Sequence, residues 1–463
     1  MQSPDTSFID DESIRRLLAG GPAPAAAVEE ILAKAETACG LEPEELALLL
    51  KVEKQETWER IFRAARRVKE RIYGRRIVLF APLYLSNYCV NACLYCGYRT
   101  GNGIIRRRLS PAEIREEVRA LERMGHKRLA VETGEDPVNC PLDYVLEAID
   151  LIYAESAEQG AIRRLNVNIA ATTVEAYRRL KEHGIGTYIL FQETYHRPTY
   201  ALMHPSGPKS DYDWHLLAFD RAMEAGQDDV GAGILFGLAD YRYELLALLL
   251  HARHLEERFG AGPHTVSVPR LKPAQGVDPG RFPHPVDDAA FKRIVALIRL
   301  ALPYTGIILS TRESPALRRE LLALGVSQIS AASCTGVGGY STRGQEREKT
   351  AQFQIEDHRS LDEVLAALCR DGYLPSFCTA CYRRGRTGDR FMALAKSGRI
   401  GRICGPNAVL TFAEYLLDYG SEETKRLGRQ VIEANLAEIP PARREEVRRR
   451  LERLAGGERD LYF

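Results

Sequence analysis

Residues 76–99, RIVLFAPLYLSNYCVNACLYCGYR, run a β-rich segment directly into three closely spaced cysteines. The stretch from Arg76 to Ser86 is dominated by branched and aromatic side chains, and it reads as a strand. Cys89, Cys93 and Cys96 follow in a C-x3-C-x2-C loop that offers three thiolates and no fourth. Four cysteines would close a 4Fe-4S cluster into an electron carrier. Three leave a corner at which a small molecule can reach metal, by the logic that separates catalytic from structural zinc. A zinc loop is the plainer reading, but zinc favours four N or S ligands, commonly in paired C-x2-C units.

Beyond this loop the pattern repeats. Seven further β-rich runs, RLAVETG, LNVNIAA, TYILFQET, VGAGILFGL, HTVSVPRLKP, GIILSTRES and QISAAS, alternate with amphipathic stretches such as PAEIREEVRALERMG and DAAFKRIVALIRLAL. A βαβα alternation implies a parallel sheet, and eight repeats suffice to close it. The expectation is an α/β fold, a (β/α)8 TIM-type barrel over residues 76–339, with an open doubly wound sheet as the alternative. Residues 1–75 read as an N-terminal helical extension, because apolar residues recur at i, i+3, i+4 spacing. Residues 340–463 read as a mainly helical C-terminal segment that carries a second cysteine group. Its charged stretch EIPPARREEVRRRLERLAGG alternates signs as a solvated helix face does.

Composition narrows the partners. The 463 residues hold 64 Lys and Arg against 63 Asp and Glu, so no global field draws the chain to nucleic acid or to an anionic membrane. No run approaches the ~18 apolar residues that span a bilayer. The polar start MQSPDTSFIDDES lacks the basic and apolar regions of a signal peptide, so a cytoplasmic location is expected. Ten cysteines in such a chain argue for metal ligation rather than disulfides. Outside the two groups, Cys39, Cys140, Cys334 and Cys369 read as buried thiols.

The C-x3-C-x2-C loop, with Tyr95 just before its last cysteine, closely resembles the signature of radical S-adenosyl-L-methionine (SAM) enzymes. That resemblance implies a SAM-binding 4Fe-4S cluster on Cys89, Cys93 and Cys96, with Tyr95 beside it. It also matches TGEDP, residues 133–137, to the Gly-Gly-Glu turn set against the methionine amino group, which makes Glu135 the candidate there. Asn166 and Asn168 end the third run, and Asn168 is the candidate for the SAM ribose or carboxylate. Barrel enzymes work at the C-terminal ends of their strands. Arg312 and Glu313 end the seventh run, and the Arg312 fork suits a substrate carboxylate. Glu193, Tyr195 and His196 leave the fourth as a polar and aromatic group suited to a phenolic amino acid, or as plain loop packing.

Cys378 and Cys381 in SFCTACYRRGRTGDRFM, with Cys404 in RICGPN, form a second set of three. From the residues alone it fits either another open cluster or a structural zinc completed by a histidine such as His358. From about residue 70 to 415 the chain resembles the HydG family of tyrosine lyases, maturation enzymes of FeFe-hydrogenase, in both CVNACLYCGYR and CTACYRRGRTGDRFM. The thiazole-pathway tyrosine lyases share the barrel and the first motif but lack the second group. The resemblance implies radical cleavage of L-tyrosine to p-cresol and dehydroglycine, and conversion of dehydroglycine to carbon monoxide and cyanide. It implies an auxiliary 4Fe-4S cluster with an additional labile iron, held in part by His264 and by a free cysteine. Implied partners are an electron donor such as ferredoxin or flavodoxin, and other hydrogenase maturation proteins. Two sites at opposite barrel ends call for a passage through the interior, past small inward residues such as Gly231 and Gly233. A lyase that releases dehydroglycine and a non-catalytic iron-sulfur scaffold are the alternatives.

Overall fold

The computed structural model describes residues 5–157, 160–342, 350–396 and 400–463. Eight strands form a parallel sheet: β1 (Arg76–Ser86), β2 (Arg128–Thr133), β3 (Arg164–Asn168), β4 (Tyr188–Glu193), β5 (Val230–Ile234), β6 (Thr265–Ser267), β7 (Gly306–Leu309) and β8 (Gln328–Ser330). They pair in chain order, and β8 returns to β1 through Val78↔Gln328, Leu79↔Ile329 and Phe80↔Ser330. The sheet is therefore closed, a (β/α)8 barrel, and the open alternative is excluded.

The helix after β1 is set by local chemistry. Pro111–Arg123 starts at a capping box in which Ser110 and Glu113 satisfy each other's backbone N–H groups, with proline at the first position. Its buried face, including Ile114, Val118 and Leu121, packs on the barrel. The run HTVSVPRLKP yields only a three-residue strand, Thr265–Ser267. Pro269 and Pro273 have no N–H to give to a ladder, so the chain leaves the sheet.

Before the barrel, the helix Gln55–Tyr73 lays Trp58, Ile61, Ala65 and Val68 against Asp288–Ala301. After it, a ninth strand, β9 (Leu374–Ser376), joins the outer side of β1 in the register Arg76↔Leu374 to Val78↔Ser376. This pairing was not foreseen. It anchors the C-terminal segment to the N-terminal end of β1, the bottom of the barrel. The helix Pro441–Ala455 buries only Val447 and Leu454, as a solvated charged helix should. Cys140, Cys334 and Cys369 are buried, but Cys39 is exposed and corrects the expectation, because it lies in the connection between two surface helices. No helix among the described residues is long and apolar enough to cross a membrane.

Candidate functional site

The C-terminal mouth of the barrel opens into a cavity of about 220 Å³ that reaches down among inward side chains of the strands. Cys89, Cys93 and Cys96 line it together. Their loop is held by the backbone it touches: Arg106 donates to the carbonyls of Asn87, Tyr98 and Arg99 at 2.6, 2.7 and 2.6 Å. Val90 N–H donates to the Glu135 carbonyl at 2.8 Å, which docks the loop on the TGEDP turn. Gly134 makes that approach possible, since a Cβ there would lie 2.2 Å from the Tyr88 carbonyl oxygen.

Tyr95 lines the cavity, and its hydroxyl meets His204 Nε2 at 2.7 Å. His204 Nδ1 lies 2.8 Å from the Tyr200 carbonyl, which only an N–H can satisfy, so Nε2 is the acceptor for Tyr95. Burial, reinforced by Lys209, pushes the His204 pKa down to about 3, and the ring is neutral. Glu135 lines the same wall and accepts from Asn91 Nδ2 at 2.5 Å. Burial raises its pKa against the opposing pull of Asn91 and Lys209.

Glu193 reaches the cavity through a break in the pleat. The register between β4 and β5 shifts there, and Glu193 takes a left-handed φ of +67°. A non-glycine residue in that region is strained, and such strain concentrates at functional sites. Its partner is Lys209, whose Nζ lies 2.8 Å from Glu193 Oε1. Burial alone would lower the Lys209 pKa, but Glu193 together with Cys93 and Cys96 outweighs it and the net direction is up. Lys209 was missed in the sequence because it sits in a single 3-10 turn, Pro208–Ser210, with no motif of its own. Glu132 was missed too, although it stands in the same VETGEDP stretch as Glu135. It lines the cavity, accepts from Asn168 Nδ2 at 2.6 Å, and is pushed up to about 8 by burial, against Asn168 and Arg312.

Of the other candidates, Asn168 and Arg312 line the cavity, with the Arg312 guanidinium stacked on Phe353. Asn166 lies below, where it accepts from Thr187 N–H at 3.2 Å. Glu313 does not share the mouth with Arg312; it turns away to Arg270 and Lys272. Tyr195 and His196 also leave the site. The Tyr195 hydroxyl pairs with His251 at 3.0 Å, and the His196 ring bonds Arg15 of the N-terminal extension.

The second cysteine group lies at the opposite end. Cys378 follows β9, Cys381 sits in the short helix Ala380–Arg383, and Cys404 lies in the helix Ile400–Asp418. Cys404 and Cys381 share a small apolar cluster with Phe391 and Ile400. His264, immediately before β6, packs its ring against Phe391 with centroids 4.1 Å apart and the planes tilted by 52°, and so adjoins the same cluster. Burial lowers its pKa, partly offset by Asp229 at 3.8 Å, which favours the neutral ring that ligates metal. His358 is exposed. Among the described residues no three His, Cys, Asp or Glu side chains gather as the ligands of one ion would. The first three thiols instead line a shared wall of the large cavity. The eleven residues of β1 at about 3.3 Å each separate its two ends by roughly 30 Å.

Soft thiol donors suit iron-sulfur groups, and at the first site free thiols, a carboxylate and a buried ammonium surround open space. The residues present fit a cluster with a small amphoteric ligand.

Comparisons with known proteins agree with this architecture. The chain matches the model of the radical SAM superfamily over residues 83–249 and that of the biotin and thiamin synthesis associated domain over residues 267–374. It is 34% identical over 319 residues to the 2-iminoacetate synthase of Escherichia coli (strain K12), spanning 68% of this chain and 81% of that protein. Among solved structures, one of HydG, a maturase of the FeFe-hydrogenase, superposes with a TM-score of 0.96 at 59% identity, covering 99% of this chain and 100% of that one. The maturase HydG from Carboxydothermus hydrogenoformans superposes with a TM-score of 0.82 at 44% identity over 96% of each chain.

Proposed function

Because the chain belongs to the HydG family of radical SAM FeFe-hydrogenase maturases, we propose that it cleaves L-tyrosine to p-cresol and dehydroglycine and converts the latter to carbon monoxide and cyanide. The first 4Fe-4S cluster, on Cys89, Cys93 and Cys96, and SAM supply the radical that starts the cleavage when they are bound. The chain's own residues hold, orient and shield. Glu135 would take the SAM amino group, and Lys209, paired with Glu193, offers a fixed cation for a carboxylate. Asn168, bonded to Glu132, fixes a polar wall of the cavity. Arg312 presents its fork to the tyrosine carboxylate, and Phe353 under its plane keeps it from swinging out.

Cys378, Cys381, Cys404 and His264 would hold an auxiliary 4Fe-4S cluster with a labile iron, completed by a free cysteine. The observation that carries this reading is the placement of two cysteine triads at opposite ends of one closed barrel whose interior is partly open. A single lyase site needs only the first. The proposed partners are a ferredoxin- or flavodoxin-type electron donor and the other maturation proteins, in the cytoplasm, with the two triads serving the barrel (76–339) and the C-terminal segment (340–463).

Anaerobic turnover of the reconstituted protein with dithionite, SAM and tyrosine tests the proposal. p-Cresol together with carbon monoxide supports it. Cresol with dehydroglycine or glyoxylate and no carbon monoxide would favour the second reading, a simple tyrosine lyase, to which the likeness to 2-iminoacetate synthase lends weight.

A further inference from the structure

Three arginines begin three neighbouring strands and point into the bottom of the barrel. Arg76, Arg128 and Arg164 open β1, β2 and β3. Side chains alternate along a strand, so Arg128 shares a face with Ala130, Arg164 with Asn168 and Arg76 with Phe80, all of which line the cavity from above. Arg128 and Arg164 are direct register partners. Both are buried, at 6% and 3% exposure.

Their hydrogen bonds leave them under-satisfied. Arg164 donates to Thr187 Oγ1 at 3.0 Å, lies 3.5 Å from Asp229 Oδ2, and stacks on the Tyr382 ring. Arg128 Nη1 donates to the carbonyl of Cys378 at 2.8 Å, which ties it to the second cysteine group. The Nε–H of all three arginines is buried with no acceptor among the described residues. Among the described residues Asp229 is the one carboxylate paired with this group, and it also faces His264. Three guanidiniums thus meet one carboxylate, with unused N–H donors in a place water reaches poorly. Buried donors without acceptors are rare in folded proteins and call for a missing partner.

We propose that Arg76, Arg128 and Arg164 form a binding site for a small planar monocarboxylate, held by the paired Nε–H and Nη–H donors of a guanidinium fork. The site sits where the barrel interior meets the second cysteine group. It rests on the proposed function only for the identity of the natural ligand, a two-carbon imino- or oxo-carboxylate that is passed to the second group. Capture there holds the acid beside its next reaction instead of releasing it to solvent. The competing role for these cations is to offset the charge of the thiolates alone.

The test uses the full chain with its clusters reconstituted, formate as a non-reacting probe, and three variants. Arg128→Gln removes one fork, and Arg128→Lys keeps its charge without the fork. Gly186→Ala leaves every charge in place but puts a Cβ into the space of the Arg164 guanidinium, which must move. Saturable formate binding, read by calorimetry, is expected in the parent and at least tenfold weaker in Arg128→Gln and Gly186→Ala, with Arg128→Lys failing to restore it. In turnover, the ratio of carbon monoxide to p-cresol should fall at least tenfold while glyoxylate appears and the iron count stays at the parental value. Unchanged formate binding overturns the proposal. So does loss of iron in step with carbon monoxide, which would assign the arginines to the cluster alone. Weakened formate binding in a protein that makes no carbon monoxide even as the parent would uphold the site and sink the assigned reaction.

Discussion

Lys209 Nζ and Glu193 Oε1 stand 2.8 Å apart across the cluster-side wall of the cavity, each side chain largely buried. The pair joins a strained strand end to a 3-10 turn that also contacts the cysteine loop, since Lys209 N–H donates to Asn91 Oδ1 at 2.9 Å. Removing one member strands the other. Lys209→Met should destabilise the apoprotein by on the order of 3 kcal/mol, the usual cost of an uncompensated buried charge, and should weaken SAM binding at least tenfold. Adding Glu193→Gln should recover most of the stability and none of the SAM affinity. Thermal melts and SAM titrations check both, and full SAM affinity in Lys209→Met would remove this pair from the site.

The two cysteine groups should separate the two halves of the chemistry. Cys93→Ala is expected to abolish 5′-deoxyadenosine and p-cresol. Cys378→Ala should keep p-cresol within about threefold of the parent and lose carbon monoxide. Product analysis by chromatography and a haem-based carbon monoxide assay decides it; loss of p-cresol in Cys378→Ala would mean that the second group serves the first reaction.

The interior of the barrel should behave as a passage. Gly231 and Gly233 face inward beside Ile189 and Phe191, but a Cβ at Gly233 would fall 2.3 Å from Phe191 and one at Gly231 2.6 Å from Thr265 Oγ1. Enlarging either disturbs packing as well as the passage. Ala130 lines the cavity on the opposite side and is the cleaner probe. Ala130→Leu should lower carbon monoxide yield several-fold with p-cresol retained, and equal loss of both products would count against a passage.

Glu132 should leave a mark on stability against pH. Burial pushes its carboxyl up to about 8 in the folded chain, against 4.5 as the ordinary value. The folded state then holds a proton that the unfolded state has lost, so this group contributes a stability loss that grows as pH rises from about 4.5 to about 8 and levels off above. Below 4.5 the contribution vanishes. Glu132→Gln should therefore flatten the fall in melting temperature between pH 5 and 8 for the cluster-free protein. An unchanged slope in the variant would show that Glu132 is ionised in the fold.

Much of the first site was legible because its chemistry is contiguous. The three cysteines and Tyr95 lie within one loop, and Glu135 follows the next strand; Asn168 and Arg312 end strands, where a barrel places its reactive groups. The errors fall where one residue of slip reverses direction. Glu313 follows Arg312 in the chain and so points to the other side, toward Arg270 and Lys272. Tyr195 and His196 come after the left-handed turn at Glu193, which sends them under the N-terminal extension rather than into the mouth. Lys209 and the arginine group were hidden for a different reason: nothing local marks a lysine in a loop, or an arginine at the start of a strand, as facing a cavity.

The sequence by itself determined the eight-fold alternation of strands and helices and the grouping of the cysteines into two sets of three, because periodicity and short spacing are local properties. Only the tertiary structure decided that β8 closes on β1 and that β9 adds to the foot of β1, carrying the second cysteines to the end opposite the first. Only closure brings Arg76, Arg128 and Arg164, separated by 52 and 36 positions in the chain, onto one inward face. Side-chain convergence depends on register and strand stagger, which are set by packing between elements and not by any one of them.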